Sequence, residues 1–379
     1  MTTFTAALTL AQALIRIPSP SGAEGPIVSY IQRVMHELGY DEVHVDELGS
    51  ITASIYGNRP GLSLLLDSHI DTVEVANRGQ WSVDPYGALI IDGSLYGRGA
   101  ADMKGAAASM IASVARFKEI HGNDFAGSVH VSCTVCEECF EGYAAALVAA
   151  HTKADVVIIG EASELDLKRG QRGRAEIVLT TYGQSCHSSS PQRGSNAIVA
   201  MDKILGRILA LPTPSCPILG AGILVPTDII SRPYPGRSVV PDRTTVTFDR
   251  RLLVGESRES VLQPIKAVIE EEGIEASVSF QESEMESYTK ATIKAERFFD
   301  AWVLDDEAPL VQLGLDALHK QASERSSPTI ASAPTPATTL GPWAYLPSAL
   351  APGPRRWPTP PMSESRSQTL SVRMTATSP

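Results

Sequence analysis

The stretch LSLLLDSHID, residues 62–71, decides how the first part of the chain is interpreted. Its opening run, 62–68, is short and mainly apolar, as expected of a buried strand. The run leads directly into His69 and Asp71, so a histidine and an acid follow the carboxyl end of a strand. Open α/β sheets bind their ligands at that end of the strands. The stretch therefore predicts a functional site at the edge of an α/β sheet.

Two later strand-like segments end in the same way. The segment GSVHVSCTV alternates in the manner of a strand and leads into Glu137 and Glu138. The buried run ADVVIIG leads into Glu161. Because strands and helices alternate over residues 1–170, we expect these strands in one sheet. The sequence thus predicts that acidic groups from three strand ends share one edge of that sheet.

A further acid, Asp102, precedes the amphipathic helix predicted over 103–117. Taken alone, each group has an ordinary explanation. His69 could be a hydrogen-bonded loop residue, Asp102 a helix N-cap, and Glu137-Glu138 a solvated turn. Together these explanations are poor, because several clustered carboxylates repel one another without a cation. Imidazole and carboxylate are suitable zinc ligands, so the pattern predicts a metal site.

Residues 173–287 follow a different pattern. Their segments alternate in the order β-α-β-β-α-β, which is typical of a ferredoxin-like α+β sandwich. Ser257 is placed to cap the second helix of this set. We predict an inserted domain at this position, and a discontinuous catalytic α/β domain made of residues 1–172 and 288–322.

The bulk properties argue against several classes of function. A chain of 379 residues is long for one core, and its 43% hydrophobic content is that of a globular protein. The net charge of −11 disfavours nucleic acid or an anionic membrane as a partner. No apolar run reaches the length of a membrane span, and residues 1–22 lack the basic start of a signal peptide. The absence of a signal peptide predicts a cytoplasmic protein. Five cysteines, an odd number, disfavour a disulfide framework.

Five segments of the chain carry a family resemblance, in the order LLLDSHIDTV, YGRGAADMKGAAASMI, CEE, IIGEAS and YGQSCHSSSPQRGSNAI. They resemble the ArgE/DapE family of two-zinc peptidases and deacylases, which includes acetylornithine deacetylase, succinyl-diaminopimelate desuccinylase, aminoacylase and glutamate carboxypeptidase. The resemblance runs over residues 5–318 and is closest to the YgeY-like branch. It implies a zinc-aminopeptidase-like catalytic domain with a mixed sheet. It also implies that the inserted domain is a lid and dimerisation domain, and hence that the protein is a homodimer.

The resemblance further implies a ligand set for two divalent ions, with zinc favoured and cobalt or manganese as alternatives. His69 and Glu161 would bind the first ion, Glu138 would bind the second, and Asp102 would bridge both. A cis peptide bond between Asp102 and Met103 is also implied.

Four residues acquire implied roles in the reaction. Glu137 would be the general base, and Asp71 would orient His69 from behind. His187 would polarise the scissile carbonyl, often across a dimer interface; a surface loop histidine is the alternative. Arg251 would bind a substrate carboxylate, and a salt bridge on the strand surface explains it equally well.

The segment 323–379 departs from the family pattern. It is rich in proline and lacks lysine, histidine and periodic apolar positions, so its composition predicts a disordered tail. The family pattern needs one more histidine near the C-terminus for the second metal, and none follows His319. Moving the reading frame of 357–363 by one base permits Val-Ala-His-Thr-Ala-Asp-Glu, which supplies such a histidine. We therefore interpret the tail as frameshifted, with the second metal site incomplete.

The leading hypothesis is a metal-dependent amidohydrolase that acts on a small substrate with a carboxylate. It would be of the N-acyl amino acid deacylase, dipeptidase or carboxypeptidase type. The alternative is a catalytically inactive family member that binds a small ligand or a metal. A serine hydrolase is disfavoured, because the sequence contains no Gly-x-Ser-x-Gly motif.

Overall fold

The computed structural model describes residues 3–163 and 166–325, together with 343–345 and 372–373. The chain divides into two compact units. Unit 1 comprises Met1–Arg169, Met285–Ile293 and Leu304–Pro379, and unit 2 comprises Gly170–Glu284 and Lys294–Val303.

The helices of the described residues are α1 (Thr3–Ile15), α2 (Gly25–Glu37), α3 (Gly105–His121), α4 (Tyr143–Thr152), α5 (Ala197–Leu209), α6 (Arg258–Glu272) and α7 (Pro309–Arg325). The strands are β1 (Glu42–Val45), β2 (Ile51–Tyr56), β3 (Arg59–His69), β4 (Leu89–Ile91), β5 (Ser94–Tyr96), β6 (Ala126–Thr134), β7 (Val156–Ile159), β8 (Gly170–Gln171), β9 (Gly173–Tyr182), β10 (Cys186–His187), β11 (Ser215–Cys216), β12 (Gly220–Ala221), β13 (Ile223–Arg232), β14 (Val239–Val240), β15 (Arg243–Leu252), β16 (Ala276–Phe280), β17 (Glu282–Glu286), β18 (Thr292–Glu296), β19 (Phe298–Phe299), β20 (Trp302–Val303), β21 (Trp343–Tyr345) and β22 (Val372–Arg373).

Unit 1 contains a six-stranded mixed sheet of order β1-β2-β6-β3-β7-β21. β3 runs parallel to β6 and to β7, whereas the other pairs are antiparallel. The apolar runs predicted as strands are therefore β3, β6 and β7. Since the three are parallel, their carboxyl ends lie at one edge of the sheet.

Helix α3 begins at Gly105, two residues later than the sequence pattern predicted. The delay has a local cause. Asp102 and Met103 have φ of −124° and −135°, outside the helical region, so Ala100–Lys104 form an irregular turn. The helix then packs against α1, with Ala106, Ala107 and Ala108 buried. These small side chains allow the two helices to approach closely.

Unit 2 contains the antiparallel sheet β13-β15-β9-β16, to which β19 adds by pairing with β9. With α5 and α6, the order along the chain is the predicted β-α-β-β-α-β of a ferredoxin-like sandwich. Both helices bury apolar side chains against one face of the sheet, including Ile204 of α5 and Ile265 of α6. Ser257 caps α6 as expected, in a capping box with Ser260.

The boundaries of these units differ from the predicted insertion, 173–287, at its end. Met285–Ile293 belong to unit 1, and Lys294–Val303 return to unit 2. Two contacts account for this boundary. Phe298 and Phe299 pair with β9 of unit 2, whereas Tyr288 donates a hydrogen bond to the carbonyl of Gly49 in unit 1. Periodicity cannot reveal which sheet a short strand joins.

Only small parts of the predicted disordered tail, 323–379, lie within the described residues. β21 pairs with β7, and β22 pairs with β5, so these stretches differ from a tail without regular structure. Edge strands offer unpaired backbone groups that favour such additions. The rest of the tail prediction lies outside the described residues. No helix in the described part of the chain combines the length and the apolar character needed to cross a bilayer.

Candidate metal centre

The parallel strands of unit 1 bring the predicted site residues to one edge of the sheet. β3 ends at His69, which pairs in register with Thr134 at the end of β6. On the other side of β3, Asp67 pairs with Ile159 at the end of β7. The carboxyl ends of the three strands therefore lie side by side. His69, the turn after β6, and Glu161 consequently meet at this edge.

The imidazole of His69 lies within this cluster of acids. Its Nε2 atom is 2.8 Å from Oδ1 of Asp102 and 3.4 Å from Oε1 of Glu161. Oε2 of Glu137 lies 3.9 Å from the same nitrogen. His69 is 2% exposed and Glu137 is 4% exposed, so bulk water screens these charges poorly.

Two sets of three side chains have ligand atoms within 4.8 Å of one another. One set is His69, Glu137 and Glu161, and the other is His69, Asp102 and Glu138. The sets differ from the division implied by the family resemblance, in which His69, Asp102 and Glu161 share one ion. All five residues belong to one cluster, and the division of ligands between two ions stays a prediction.

The spacing of these atoms fits a divalent metal. Two ligand atoms bound at ~2.0–2.1 Å to one tetrahedral ion lie roughly 3.3–3.4 Å apart. The 3.4 Å separation between Nε2 of His69 and Oε1 of Glu161 equals that spacing, and the 2.8 Å separation from Oδ1 of Asp102 is that of a hydrogen bond. An imidazole among carboxylates is also a donor set that zinc accepts. The residues present therefore fit a metal centre.

Asp71 forms hydrogen bonds to both sides of the cluster. Its backbone carbonyl accepts a hydrogen bond from Nδ1 of His69 at 3.0 Å, which leaves Nε2 directed toward the acids. Its carboxylate accepts bonds from the backbone amides of Glu137 and Glu138 at 3.0 and 3.1 Å. Asp71 is fully buried, and Ser21 donates a further bond to it at 2.7 Å.

Burial and charge act in opposite directions on two of these groups. Burial alone would lower the pKa of His69, but hydrogen bonds to Asp102, Asp71 and Glu161 raise it well above its ordinary value. Burial raises the pKa of Glu137 well above its ordinary value; the charge of His69 opposes this rise, and that of Glu161 adds to it. A divalent cation placed among these groups would favour the charged carboxylates.

Asp102 is held by the irregular turn before α3. The peptide bond that follows it is cis, as the resemblance implied. Lys104, in the same turn, is fully buried and donates from Nζ to the carbonyls of Leu14 and Ile17 at 3.1 and 2.8 Å. Burial lowers the pKa of Lys104 to about 7. The lysine thus ties the turn to the C-terminal end of α1, where carbonyls lack partners within the helix.

His187 lies in unit 2, on the short strand β10. It pairs in register with Val239 of β14, and its exposed ring bonds through Nδ1 to the hydroxyl of Ser189 at 2.8 Å. It belongs to neither set of metal-competent side chains. Its role in catalysis stays a prediction from the family resemblance.

Arg251 lies on β15 of unit 2 and takes part in a salt bridge. Its Nε donates to Oδ1 of Asp249 at 2.7 Å, and Arg174 donates to the other oxygen of that carboxylate at 2.8 Å. Burial lowers the pKa of Arg251, although Asp249 opposes the shift. The contacts of Arg251 are thus those of a salt bridge on the strand, which was the alternative explanation. Its binding of a substrate carboxylate stays a prediction.

Sequence reasoning missed a buried acid near the site. Glu24, at the start of α2, is fully buried, and its Oε1 lies 3.0 Å from the backbone nitrogen of Cys136. Burial raises the pKa of Glu24, and the charge of Asp71 raises it further. The pattern Ser-x-x-Glu at 21–24 was an available signal, because it is typical of side chains that satisfy backbone amides. The amide that Glu24 reaches is remote in sequence.

Comparison with known proteins gives matches over most of the chain. The profile of Peptidase family M20/M25/M40 matches residues 65–353. The chain is 33% identical to protein YgeY of Escherichia coli over 298 residues, which are 78% of this chain and 73% of YgeY. It is 31% identical to succinyl-diaminopimelate desuccinylase of Rhodospirillum centenum over 284 residues, 70% of this chain and 72% of that protein.

Solved structures share the fold at lower identity. Aminopeptidase PepT from Bacillus cereus superposes with a TM-score of 0.64 at 17% identity, covering 89% of each chain. A tripeptidase from Staphylococcus aureus gives 0.63 at 18% identity, covering 84% of this chain and 82% of its own. The family profile spans the acidic cluster and parts of both units, and relatives above 30% identity cover more than two thirds of the chain; on that basis the chain belongs to peptidase family M20/M25/M40.

Proposed function

We propose that this protein hydrolyses an amide bond in a small substrate that carries a carboxylate, with divalent metal ions as cofactors. One observation carries the proposal. Glu137 is buried in the acidic cluster, with Oε2 3.9 Å from Nε2 of His69. A carboxylate in that position can take a proton from a water held among the ligand groups. Membership in a peptidase family supports the same type of reaction.

In the proposed reaction, water adds to the carbonyl carbon of the amide and forms a new C–O bond. Glu137 accepts the proton that the water loses. The C–N bond then breaks, and Glu137 returns the proton to the departing nitrogen, so that a carboxylate and an amine are released. Asp71 holds the base in place through the backbone amides of Glu137 and Glu138.

The proposed metal ligands are His69, Asp102, Glu138 and Glu161. Bound ions would polarise the scissile carbonyl and make the attacking water more acidic. We propose sites for two ions, with zinc favoured over cobalt and manganese, because the cluster offers more carboxylates than one ion needs. The second of these sites is incomplete, since it lacks the late histidine that the family resemblance calls for. Elemental analysis of protein purified without chelator identifies the metal.

The substrate class follows from chemistry that the relatives share. One relative is a succinyl-diaminopimelate desuccinylase, and structural neighbours are a tripeptidase and an aminopeptidase. The reactions that these names describe all cleave an amide bond, in an N-succinyl compound or in a peptide. We therefore propose N-acyl amino acids and short peptides as the first substrates to test.

The test is release of free amine from N-acetyl amino acids, N-succinyl diamino acids, dipeptides and tripeptides. Zinc-, cobalt- and manganese-loaded protein is compared with protein treated with a chelator. We expect hydrolysis of at least one class, lost on chelation and restored by metal. Equal rates with and without metal would contradict the proposal.

A second candidate function is binding of a small ligand or a metal without catalysis. It rests on one observation, that no histidine follows His319 in the sequence. The substrate panel separates the candidates. A binding protein would retain a substrate analogue in equilibrium dialysis and release no amine.

We further propose that His187 takes part in the reaction and that the protein forms a homodimer through unit 2. β13 is an edge strand of the unit 2 sheet, and it exposes Ile223, Val225 and Ile229 by 38%, 46% and 58%. An exposed apolar edge of this length favours pairing with a second copy. Light scattering gives the mass in solution, and Ile229→Lys should yield monomer. His187→Ala should lower kcat without changing metal content.

A further inference from the structure

Three consecutive backbone amides after β6 are bound by two buried carboxylates. The amide of Cys136 donates to Oε1 of Glu24 at 3.0 Å. The next two amides, of Glu137 and Glu138, donate to the two carboxylate oxygens of Asp71. Asp71 is close in sequence to His69, whereas Glu24 comes from a loop 112 residues before Cys136. Each of the three amides thus has a charged or ionisable acceptor.

From this arrangement we propose that Glu24 is a positioning residue, which acts through the backbone of Cys136 to fix where Glu137 presents its carboxylate. The inference rests on the proposed function, in which Glu137 is the base. Glu24 accepts from the amide of Gly22 in its own loop and from the amide and thiol of Cys136 in the turn, and it belongs to neither set of metal-competent side chains. Its effect on the reaction is therefore indirect.

The backbone of Cys136 explains why this turn needs an external acceptor. Cys136 has a φ of 59°, in the left-handed region that residues with a side chain seldom adopt. A left-handed residue turns successive amides toward one side of the chain, where they form a concave donor site for anions. Glu24 and Asp71 fill that donor site. Without Glu24, the amide of Cys136 would lose its acceptor in a buried position, and the left-handed turn would lose one of its restraints.

The carboxylate of Glu24 has no role in its own helix. Glu24 occupies the N-cap position of α2, yet its side chain forms no capping bond to that helix. Oε1 instead accepts from the amide of Gly22 at 3.0 Å as well as from Cys136, and the other oxygen, Oε2, is buried without a partner among the described residues. Burying a carboxyl group is costly. Helix capping, which a serine or threonine could provide, does not account for that cost.

The loop that carries Glu24 is itself fixed to the histidine side of the site. Ser19 accepts from the amide of Thr72 at 2.9 Å through its carbonyl, and its hydroxyl donates to the carbonyl of Ile70 at 2.6 Å. Ser21 donates to Asp71 at 2.7 Å. The loop therefore bridges the segment after β3 and the turn after β6. Glu24 provides the second half of that bridge, which sets the distance between His69 and the base.

The test compares two substitutions of similar size. Glu24→Gln keeps a carbonyl oxygen that can accept from Cys136, whereas Glu24→Met removes the acceptor and keeps the volume. Glu24→Asp, which withdraws the carboxylate by one methylene, replaces Glu24→Met if that variant does not fold. Asp155→Ala is the matched control, because Asp155 also accepts a backbone amide, from Ser63 at 2.8 Å, six residues before His69 on β3.

Two measurements are made on each variant. Steady-state kinetics of the metal-loaded protein should show kcat about 10–100-fold lower for Glu24→Met, with KM unchanged, because a displaced base slows the reaction without altering substrate binding. Hydrogen exchange of the metal-free protein should show about tenfold faster exchange at residues 136–138 in the same variant. Glu24→Gln should restore both values to near those of the wild type, and Asp155→Ala should change neither.

Each outcome decides the proposal. It is overturned if Glu24→Met matches the wild type in both measurements, or if its kcat falls only in proportion to the unfolded fraction. It is also overturned if Glu24→Gln is as slow as Glu24→Met. If the wild type hydrolyses nothing, the proposed function fails, and hydrogen exchange at 136–138 alone decides whether Glu24 holds the turn.

Discussion

Oδ1 of Asp71 accepts a hydrogen bond from the backbone amide of Glu137 at 3.0 Å, so the residue that bonds to the histidine also bonds to the backbone of the proposed base. The two residues follow different strands, β3 and β6. Asp71 therefore contacts His69 through its backbone carbonyl and the backbone of Glu137 through its carboxylate, so one buried residue links the two. A small change at Asp71 should therefore affect catalysis more than it affects metal content.

The first prediction concerns Asp71→Asn. An asparagine presents one oxygen and one NH₂ group, so one of the amides of Glu137 and Glu138 loses its acceptor and faces a donor. We expect kcat to fall about 10–100-fold while the metal content stays close to that of the wild type. Kinetics and elemental analysis on the same preparation check this. Asp84→Asn is the control, because Asp84 accepts the amide of Tyr86 in an exposed loop. If Asp71→Asn keeps the kcat of the wild type, Asp71 does not orient the catalytic groups.

A second prediction concerns the base itself. Glu137→Gln preserves the size of the side chain but cannot carry a proton between water and the leaving nitrogen. We expect kcat to fall by about 10²–10⁴. Glu74→Gln, an exposed substitution in the loop after β3, serves as the control. A Glu137→Gln variant that keeps more than a tenth of wild-type kcat would assign proton transfer to another group.

Metal removal should destabilise the protein, which is the third prediction. Without a cation, the carboxylates around His69 repel one another in a buried site. A metal at about 100 times its dissociation constant stabilises the fold by about 2.7 kcal/mol. The midpoint temperature of thermal unfolding should fall on chelation and recover on addition of zinc. The unfolding temperature of Asp102→Ala should rise much less on addition of zinc than that of the wild type. An equal rise in the two proteins would show that the metal does not bind at Asp102.

The parts of the site that could be predicted are those set by local sequence. Apolar runs predicted β3, β6 and β7, and the acids that follow them met at one edge because parallel strands end together. The contacts that hold those acids could not be predicted this way. The bond from Cys136 to Glu24 depends on how two loops pack, and nothing in either loop specifies the other.

The boundary of unit 2 shows a similar limit. β19 is only two residues long, and it joins the sheet through β9 at Ala175 and Arg174. Short edge strands carry too little periodicity to reveal their partner. The resemblance implied that Asp102 bridges both ions and that Glu161 binds the first. Asp102 and Glu161 fall into different sets of three side chains around His69, and the division of ligands between two ions stays a prediction.

The fourth prediction concerns stability against pH and involves His130 on β6. The ring is 3% exposed and bonds to the hydroxyls of Ser54 and Ser128, both at 2.8 Å. Burial lowers the pKa of His130 to about 4; Glu42 opposes the shift and His151 adds to it. The unfolded chain, with a histidine pKa of about 6.5, therefore takes up a proton first as the pH falls.

The stabilisation due to neutral His130 should be complete above about pH 6.5 and should disappear as the pH falls toward 4. At pH 5 the loss amounts to about 2 kcal/mol. Denaturant unfolding at pH 7 and pH 5 should show that the wild type loses about 2 kcal/mol more than His130→Gln over this interval. His36→Gln, at an exposed histidine, is the control. The same pH dependence in wild type and His130→Gln would contradict the assignment.

The final prediction concerns how many metal ions the 379-residue chain holds. No histidine follows His319 in the sequence, and His319 is exposed on α7. The family resemblance calls for a late histidine on the second ion, which would otherwise keep only Asp102 and Glu138 from the protein. Loss of an imidazole ligand from an open site should lower the affinity for the second ion. The loss should exceed the roughly 10–100-fold that is typical when a residue supporting a ligand is removed. We therefore expect about one zinc per chain and slow amide hydrolysis. A variant with 357–363 replaced by Val-Ala-His-Thr-Ala-Asp-Glu, in the frame-corrected tail, should hold two ions and turn over faster. Zinc content after dialysis and amide hydrolysis are measured on both chains in parallel. Two tightly held ions and rapid turnover in the 379-residue chain would show that the cluster at the sheet edge needs no late histidine.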